Sequence, residues 1–128
     1  MPLVKWPNKI ITRNDLKDFP SSYFIFGDNV ARTGFGGQAK EMRGEPNAIG
    51  IVTKWRPDNS WKSFFDDSLE CFELLCDDLN KVENLLNNRT LVWYPRNGIG
   101  TGLAALPFKA PKLYRYLNKW IKKHENLL

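Results

Sequence analysis

The sequence is poor in the residues that build metal centres and disulfide frameworks, with one histidine and two cysteines among 128 residues. A lone His124 makes a zinc site unexpected, and no other metal or cofactor is called for. Cys71 and Cys76 are too few to staple a fold, so the expected setting is a reducing cytoplasm. No apolar run nears the roughly 20 residues that cross a bilayer, which sets a membrane partner aside. Met1-Pro2-Leu3-Val4-Lys5 lacks the basic-then-apolar order of a secretory signal. With no repeat, low-complexity tract or linker to divide it, the chain reads as one domain over residues 1–128.

What is present is ordinary globular material: 42% hydrophobic and 26% charged residues, which argues against disorder. A chain of this size buries roughly two-thirds of its unfolded surface, enough for a core without staples. The net charge is +5, and Lys109, Lys112, Arg115, Lys119, Lys122 and Lys123 crowd the last stretch. That balance admits an anionic partner, nucleic acid included. A solvated helix face is the alternative.

Short apolar runs outline an α/β pattern. Ile10-Ile11-Thr12 reads as an early strand, followed by a turn or helical turn at Asn14-Asp15-Leu16-Lys17. Tyr23-Phe24-Ile25-Phe26, Ala48 to Thr53 and Thr90 to Tyr94 read as buried strands. Two helical turns are expected around Gln38 to Arg43. A long helix carries Phe65, Leu69, Phe72, Leu75, Leu79, Val82 and Leu86 on one face and stops at Asn87-Asn88. The last helix carries Ala110, Leu113, Tyr114, Leu117, Trp120 and Ile121 on one face and its cations on the other. Unbroken apolar strands need cover on both faces, so helices flank a mostly parallel central sheet. Ligands of such sheets bind beyond the carboxyl ends of the strands. Gly27 to Gln38, Thr53 to Pro57 and Pro95 to Gly102 all begin there.

Two of those segments are glycine loops. Gly34-Phe35-Gly36-Gly37-Gln38-Ala39 leads into a candidate helix, where free amides make an anion site. A tight structural turn explains the same glycines. Asn97-Gly98-Ile99-Gly100-Thr101-Gly102 is suited to cup a diphosphate with backbone amides, with Thr101 as a hydroxyl donor. It is neither a Walker loop nor the dinucleotide fingerprint, because the following Lys and the glycine spacing are absent. Of the remaining residues, Cys71 and Cys76 are expected on the long helix as small hydrophobes. His124 is expected at the surface, and Trp6, Trp61, Trp93 and Trp120 against the core. Trp55, next to Lys54, is placed at the edge of the presumed site.

At these loops a resemblance to a known family appears. Gly27-Asp28-Asn29 through Gly34 to Ala39, with Ile51-Val52-Thr53-Lys54, is similar to the first binding loop and adjoining strand of macrodomains. Pro95 to Leu103, continuing to Leu106-Pro107-Phe108, resembles their second loop. The resemblance is closest to the branch of terminal ADP-ribose protein glycohydrolases and ADP-ribose-1″-phosphate phosphatases, and runs from about Ile10 to Trp120. It implies a three-layer macrodomain-like α/β sandwich that binds ADP-ribose and hydrolyses an ADP-ribosyl derivative. ADP-ribose or an ADP-ribosylated macromolecule would be the partner.

Residue by residue, the resemblance implies that Asp15 accepts a hydrogen bond from the adenine amino group, with helix capping as the alternative. Asn29, Gly34, Gly36, Gly37 and Gln38 would lie along the distal ribose. Asn97, Gly98, Ile99, Gly100, Thr101 and Gly102 would hold the diphosphate, and Phe108 would cover the adenine or simply pack in the core. Lys54 matches a lysine that attacks the anomeric carbon, which requires a neutral amine and hence a depressed pKa. Lys40 and Arg56 are the cations considered for that depression. A phosphate contact is the alternative for Lys54.

The sequence departs from the family where the second loop usually carries an Asp after Gly-Leu, because Gly102-Leu103 is followed by Ala104. Asp28 is the substitute acid, unless it caps its loop. The final strand common in the family is also missing after the last helix. A non-catalytic reader of ADP-ribose is thus an alternative, and a basic nucleic-acid-binding domain a further one.

Overall fold

Period-two alternation inside an unbroken apolar run decides how the sheet of this protein is covered. The computed structural model describes residues 3–125. In chain order the elements are β1 (Leu3–Lys5), α1 (Arg13–Asp18), β2 (Tyr23–Asn29), α2 (Ala39–Met42), β3 (Ala48–Lys54), α3 (Leu69–Asn87), β4 (Val92–Tyr94), α4 (Leu106–Lys109) and α5 (Pro111–His124). The strands form one four-stranded sheet of order β1-β4-β2-β3, and every pairing is parallel. The expected mostly parallel α/β sheet is therefore wholly parallel.

Successive strand side chains point to opposite faces, and β2 uses this fully. Ile25 enters a large apolar cluster with Leu75, Leu79 and Val82 of α3 and Leu113 and Leu117 of α5. Phe24 and Phe26 enter a second cluster with Leu16, Met42 and Trp6. Helix α3 starts at Ser68, whose hydroxyl accepts from the Cys71 amide, and its buried residues recur every three or four positions. Helix α5 opens on Pro111, which suits a first helical position.

Several expectations need correction. Ile10-Ile11-Thr12 is not a strand; the first strand is β1, a three-residue piece. Ile11 is buried, but its amide and carbonyl bond to the side-chain amide of Gln38, at 2.9 Å each, instead of to a strand. Thr12 caps α1, and Asp15 completes a capping box by accepting from the Thr12 amide at 2.8 Å. Phe65 is buried just ahead of α3, not within it, and Ala110 is the joint between α4 and α5. Trp61 does not reach the core and is 78% exposed, whereas Trp6 and Trp120 are buried. His124 is half-buried, its ring tilted against Trp120 and 3.0 Å from Glu83. Cys71 is buried and Cys76 half-buried, both free thiols. The Met1-Pro2 part of the N-terminal reading lies outside the described residues.

Strand β3 is an edge of the sheet, and side chains occupy its outer backbone groups. The Val52 amide donates to Asp78 Oδ2 at 2.9 Å, and Arg32 donates to the Gly50 carbonyl at 3.1 Å. Arg32 and Asp78 join each other through two bonds of 2.8 and 2.9 Å. The pair forms a clamp along the strand, which blocks edge-to-edge pairing.

Candidate functional site

The chain leaves β2 towards β3 on one side, while β4 lies on the other side of β2. A parallel sheet opens a crevice where successive connections diverge, beyond the carboxyl ends of the strands. A cleft of about 370 Å³ lies there, walled by Gly27–Asn29 of β2, the Thr33–Ala39 loop, the end of β3 and the Pro95–Ala104 loop. Both glycine loops and Lys54 therefore meet in one place. The two loops also touch: a Cβ added to Gly36 would lie 3.2 Å from the Leu103 side chain. Phe35 and Leu103 are exposed beside this contact.

The second loop needs glycine for a stated reason. Gly100 has φ of +79°, and a Cβ there would come within 2.8 Å of buried Leu106. The loop is closed by Thr101, whose hydroxyl donates to the Asn97 carbonyl at 2.9 Å, and by the Leu106 amide bonding to the Gly100 carbonyl. The Thr101 hydrogen is therefore spent inside the loop. Among the described residues, the amides of Ile99, Gly100, Thr101 and Gly102 find no protein acceptor, nor do those of Gly34, Phe35, Gly36 and Gly37. Of these residues all but Phe35 line the cleft, and a free backbone amide is a donor for an anion or water.

Side chains expected to touch a ligand are largely occupied. The Asn29 side-chain amide donates to the Thr33 carbonyl at 2.8 Å and closes its own loop. Gln38 is held by Ile11 through both of its polar atoms, so it positions the loop and leaves ligand contact to the backbone. Asp28 is buried, and Arg43 donates to its Oδ1 at 2.6 Å, with Arg32 3.4 Å from Oδ2. Its Oδ1 also accepts from the Asn29 amide. A carboxylate so engaged anchors its surroundings. Arg43 extends the anchor by donating to the carbonyls of Thr33 and Gly34, at 3.1 and 2.7 Å. Gly50 makes room for it, because a Cβ there would collide with the Asp28 carboxylate.

Lys54 ends β3 with its side chain buried. Its ammonium donates to the Asp58 carbonyl at 2.7 Å and sits 4.6 Å from the Phe64 ring centre. Burial pushes its pKa below the ordinary lysine value, and the negative charge of Asp58 pulls the other way. Desolvation, with no part played by Lys40 or Arg56, is thus the cause of the depression. Asp58 is itself held below the usual carboxylate range, chiefly by the Ser63 hydroxyl and the Ser60 amide.

Of the sequence-derived residues, Asp28, Asn29, Gly34, Gly36, Gly37, Gln38, Lys54 and Asn97 to Gly102 line the cleft. Asp15 and Phe108 do not; Asp15 caps α1, and Phe108 is 87% exposed. Trp55 packs on Phe65 instead of the cleft wall. Ala104 does line it, and Asp28 is the one acidic residue that does so among the described residues. Sequence reasoning missed Arg43 and Gly50. A glycine inside a strand is a recognised mark of close approach, and Gly50 carried that mark.

A family model described as "Family of unknown function (DUF7831)" matches residues 7–120. The chain belongs to this family. No curated protein and no solved structure matches it. The DUF7831 match takes in both cleft loops, Lys54 and the Asp28–Arg43 pair, and leaves out β1. Among the described residues no helix is long and apolar enough to cross a membrane, and no cluster of three His, Cys, Asp or Glu is placed to hold a metal.

Proposed function

We propose that the cleft binds ADP-ribose or the ADP-ribosyl group of a macromolecule, within a three-layer macrodomain-like fold. The observation that supports this reading is that two glycine loops whose amides lack protein acceptors line one crevice. A diphosphate carries several acceptor oxygens, which suits a site rich in free backbone donors. The second loop would take the diphosphate and the first the distal ribose.

Hydrolysis is the second reading; it rests on Lys54 at the cleft wall with its pKa lowered by burial, and needs its ammonium released from the Asp58 carbonyl. An amine must be neutral to attack an anomeric carbon. The departing group also needs a proton, and Asp28, the acid at hand, is engaged by Arg43 and Arg32. Ala104 supplies none. Binding is therefore the primary function, with turnover as a slower addition.

The test is calorimetric titration with ADP-ribose, with AMP and a short DNA duplex as controls. Gly37→Glu is the informative variant, because a side chain at Gly37 meets nothing within 4 Å. Its φ of +57° costs about 1–2 kcal/mol of stability, while the carboxylate repels a phosphate in the cleft. Selective ADP-ribose binding that disappears in a folded Gly37→Glu protein is expected. Equal affinity in both proteins, or none in the wild type, would overturn the reading. Lys54→Ala should keep affinity and lose any release of ADP-ribose from an ADP-ribosylated substrate.

A further inference from the structure

Of the six cations that first suggest a nucleic-acid partner, five lie on α5, while Lys109 ends α4 beside exposed aromatic rings. Trp61, in a short 3-10 helix at Trp61–Ser63, and Phe108, on α4, are the two most exposed large hydrophobic side chains of the described residues. Each is followed in sequence by an exposed lysine, Lys62 and Lys109. Phe64 ties the two segments together. The Lys109 ammonium lies 4.8 Å from its ring centre, and Lys54 approaches the same ring at 4.6 Å from the end of β3. The Lys62 ammonium lies 5.5 Å from the Trp61 ring. Neither Lys62 nor Lys109 is paired with a carboxylate among the described residues.

We propose that the patch of Trp61 and Phe108 with Lys62 and Lys109, joined through the half-buried Phe64, binds a single-stranded nucleic acid. Exposed rings beside unpaired lysines provide both contacts such a strand requires, base faces on aromatics and phosphates on cations. A duplex keeps its base faces stacked and would use the lysines alone. An acidic peptide would find no use for the rings. Helix α5 presents Lys112, Arg115, Lys119, Lys122 and Lys123 to solvent, but its exposed ring, Tyr116, is engaged with Phe72 and Cys76. That face is a screen of charge without a stacking platform. Buried Lys54, which lines the cleft, touches the Phe64 ring beneath the patch, so the patch lies beside the cleft. The proposal concerns a surface outside the ADP-ribose reading and stands or falls separately from it.

The experiment is fluorescence anisotropy of a labelled 12-nucleotide oligothymidine, against a 12-base-pair duplex and with polyglutamate as competitor. The proteins are the wild type, Trp61→Ala, Lys109→Ala and a Lys119→Ala/Lys122→Ala/Lys123→Ala variant. Trp61 and the lysines are exposed, so circular dichroism should show all four folded. The single strand should bind more tightly than the duplex. Trp61→Ala should weaken it about tenfold, and Lys109→Ala should lower the slope of log affinity against log salt by about 0.7. The α5 variant should keep the preference for the single strand. No binding, equal affinity for the duplex, undiminished affinity in Trp61→Ala, displacement by polyglutamate, or loss confined to the α5 variant would each overturn the proposal. Titrating Trp61→Ala with ADP-ribose separates this outcome from failure of the cleft reading.

Discussion

Replacing Asp78 by alanine tests the clamp that closes the sheet's outer edge. Its carboxylate is buried on α3 and accepts from the Val52 amide, from Arg32 twice and from Lys81 at 3.1 Å. The losses are unequal. Val52 is buried, so its amide loses its only acceptor, at about 1–3 kcal/mol. Arg32 is 42% exposed and returns to water, which limits that pair to about 1 kcal/mol. Lys81 is more exposed still and contributes little. Relief of the carboxylate's own desolvation offsets part of the total. The balance is about 2–3 kcal/mol of destabilisation, read by urea unfolding at pH 7, or about 8–12 °C in Tm. The double variant with Arg32→Ala should show coupling of about 1 kcal/mol. An Asp78→Ala protein within about 0.5 kcal/mol of wild type would refute the reasoning, since surface substitutions do as much. It would mean that water reaches the Val52 amide and the clamp is ornamental.

Two further predictions concern the groups beside the cleft. Gly50→Ala pushes a methyl into the Asp28 carboxylate and should cost about 1–3 kcal/mol; a thermal melt unchanged from wild type would contradict the close approach. Burial depresses the Lys54 pKa below 10.5, so between that lowered value and 10.5 the unfolded chain holds more protons than the folded one. Stability should therefore gain from this group as pH rises through the window. In Lys54→Met that gain disappears, and parallel pH profiles of unfolding free energy for the two proteins would exclude the depression.

Legibility followed the range of the signal. Apolar runs and helical spacing act within a few residues, and they located β2, β3, β4, α3 and α5 near their observed positions. The glycine loops were visible because each follows a strand, and both line the cleft. The Ile10-Ile11-Thr12 error has a specific cause. Ile11 is buried as a strand residue would be, but its backbone partner is a side chain 27 positions away, which local pattern cannot reveal. The three residues of β1 are too few to show any period. The Asp28–Arg43 and Arg32–Asp78 pairs join residues 15 and 46 positions apart. A charge in the sequence does not announce its partner at that distance, so Asp28 reads there as a substitute acid or a loop cap, with its hold on Arg43 hidden.

The hold of Gln38 on Ile11 bears on how fast the cleft can receive anything. Swinging the first loop aside breaks two hydrogen bonds to a buried residue, at about 2–4 kcal/mol. The displaced loop is then a minor state of roughly 3% or less. Any molecule entering the cleft would meet this part of the wall already ordered, which would spare part of the entropy of association. A ligand of this cleft would then dock against a first loop already held at Gln38.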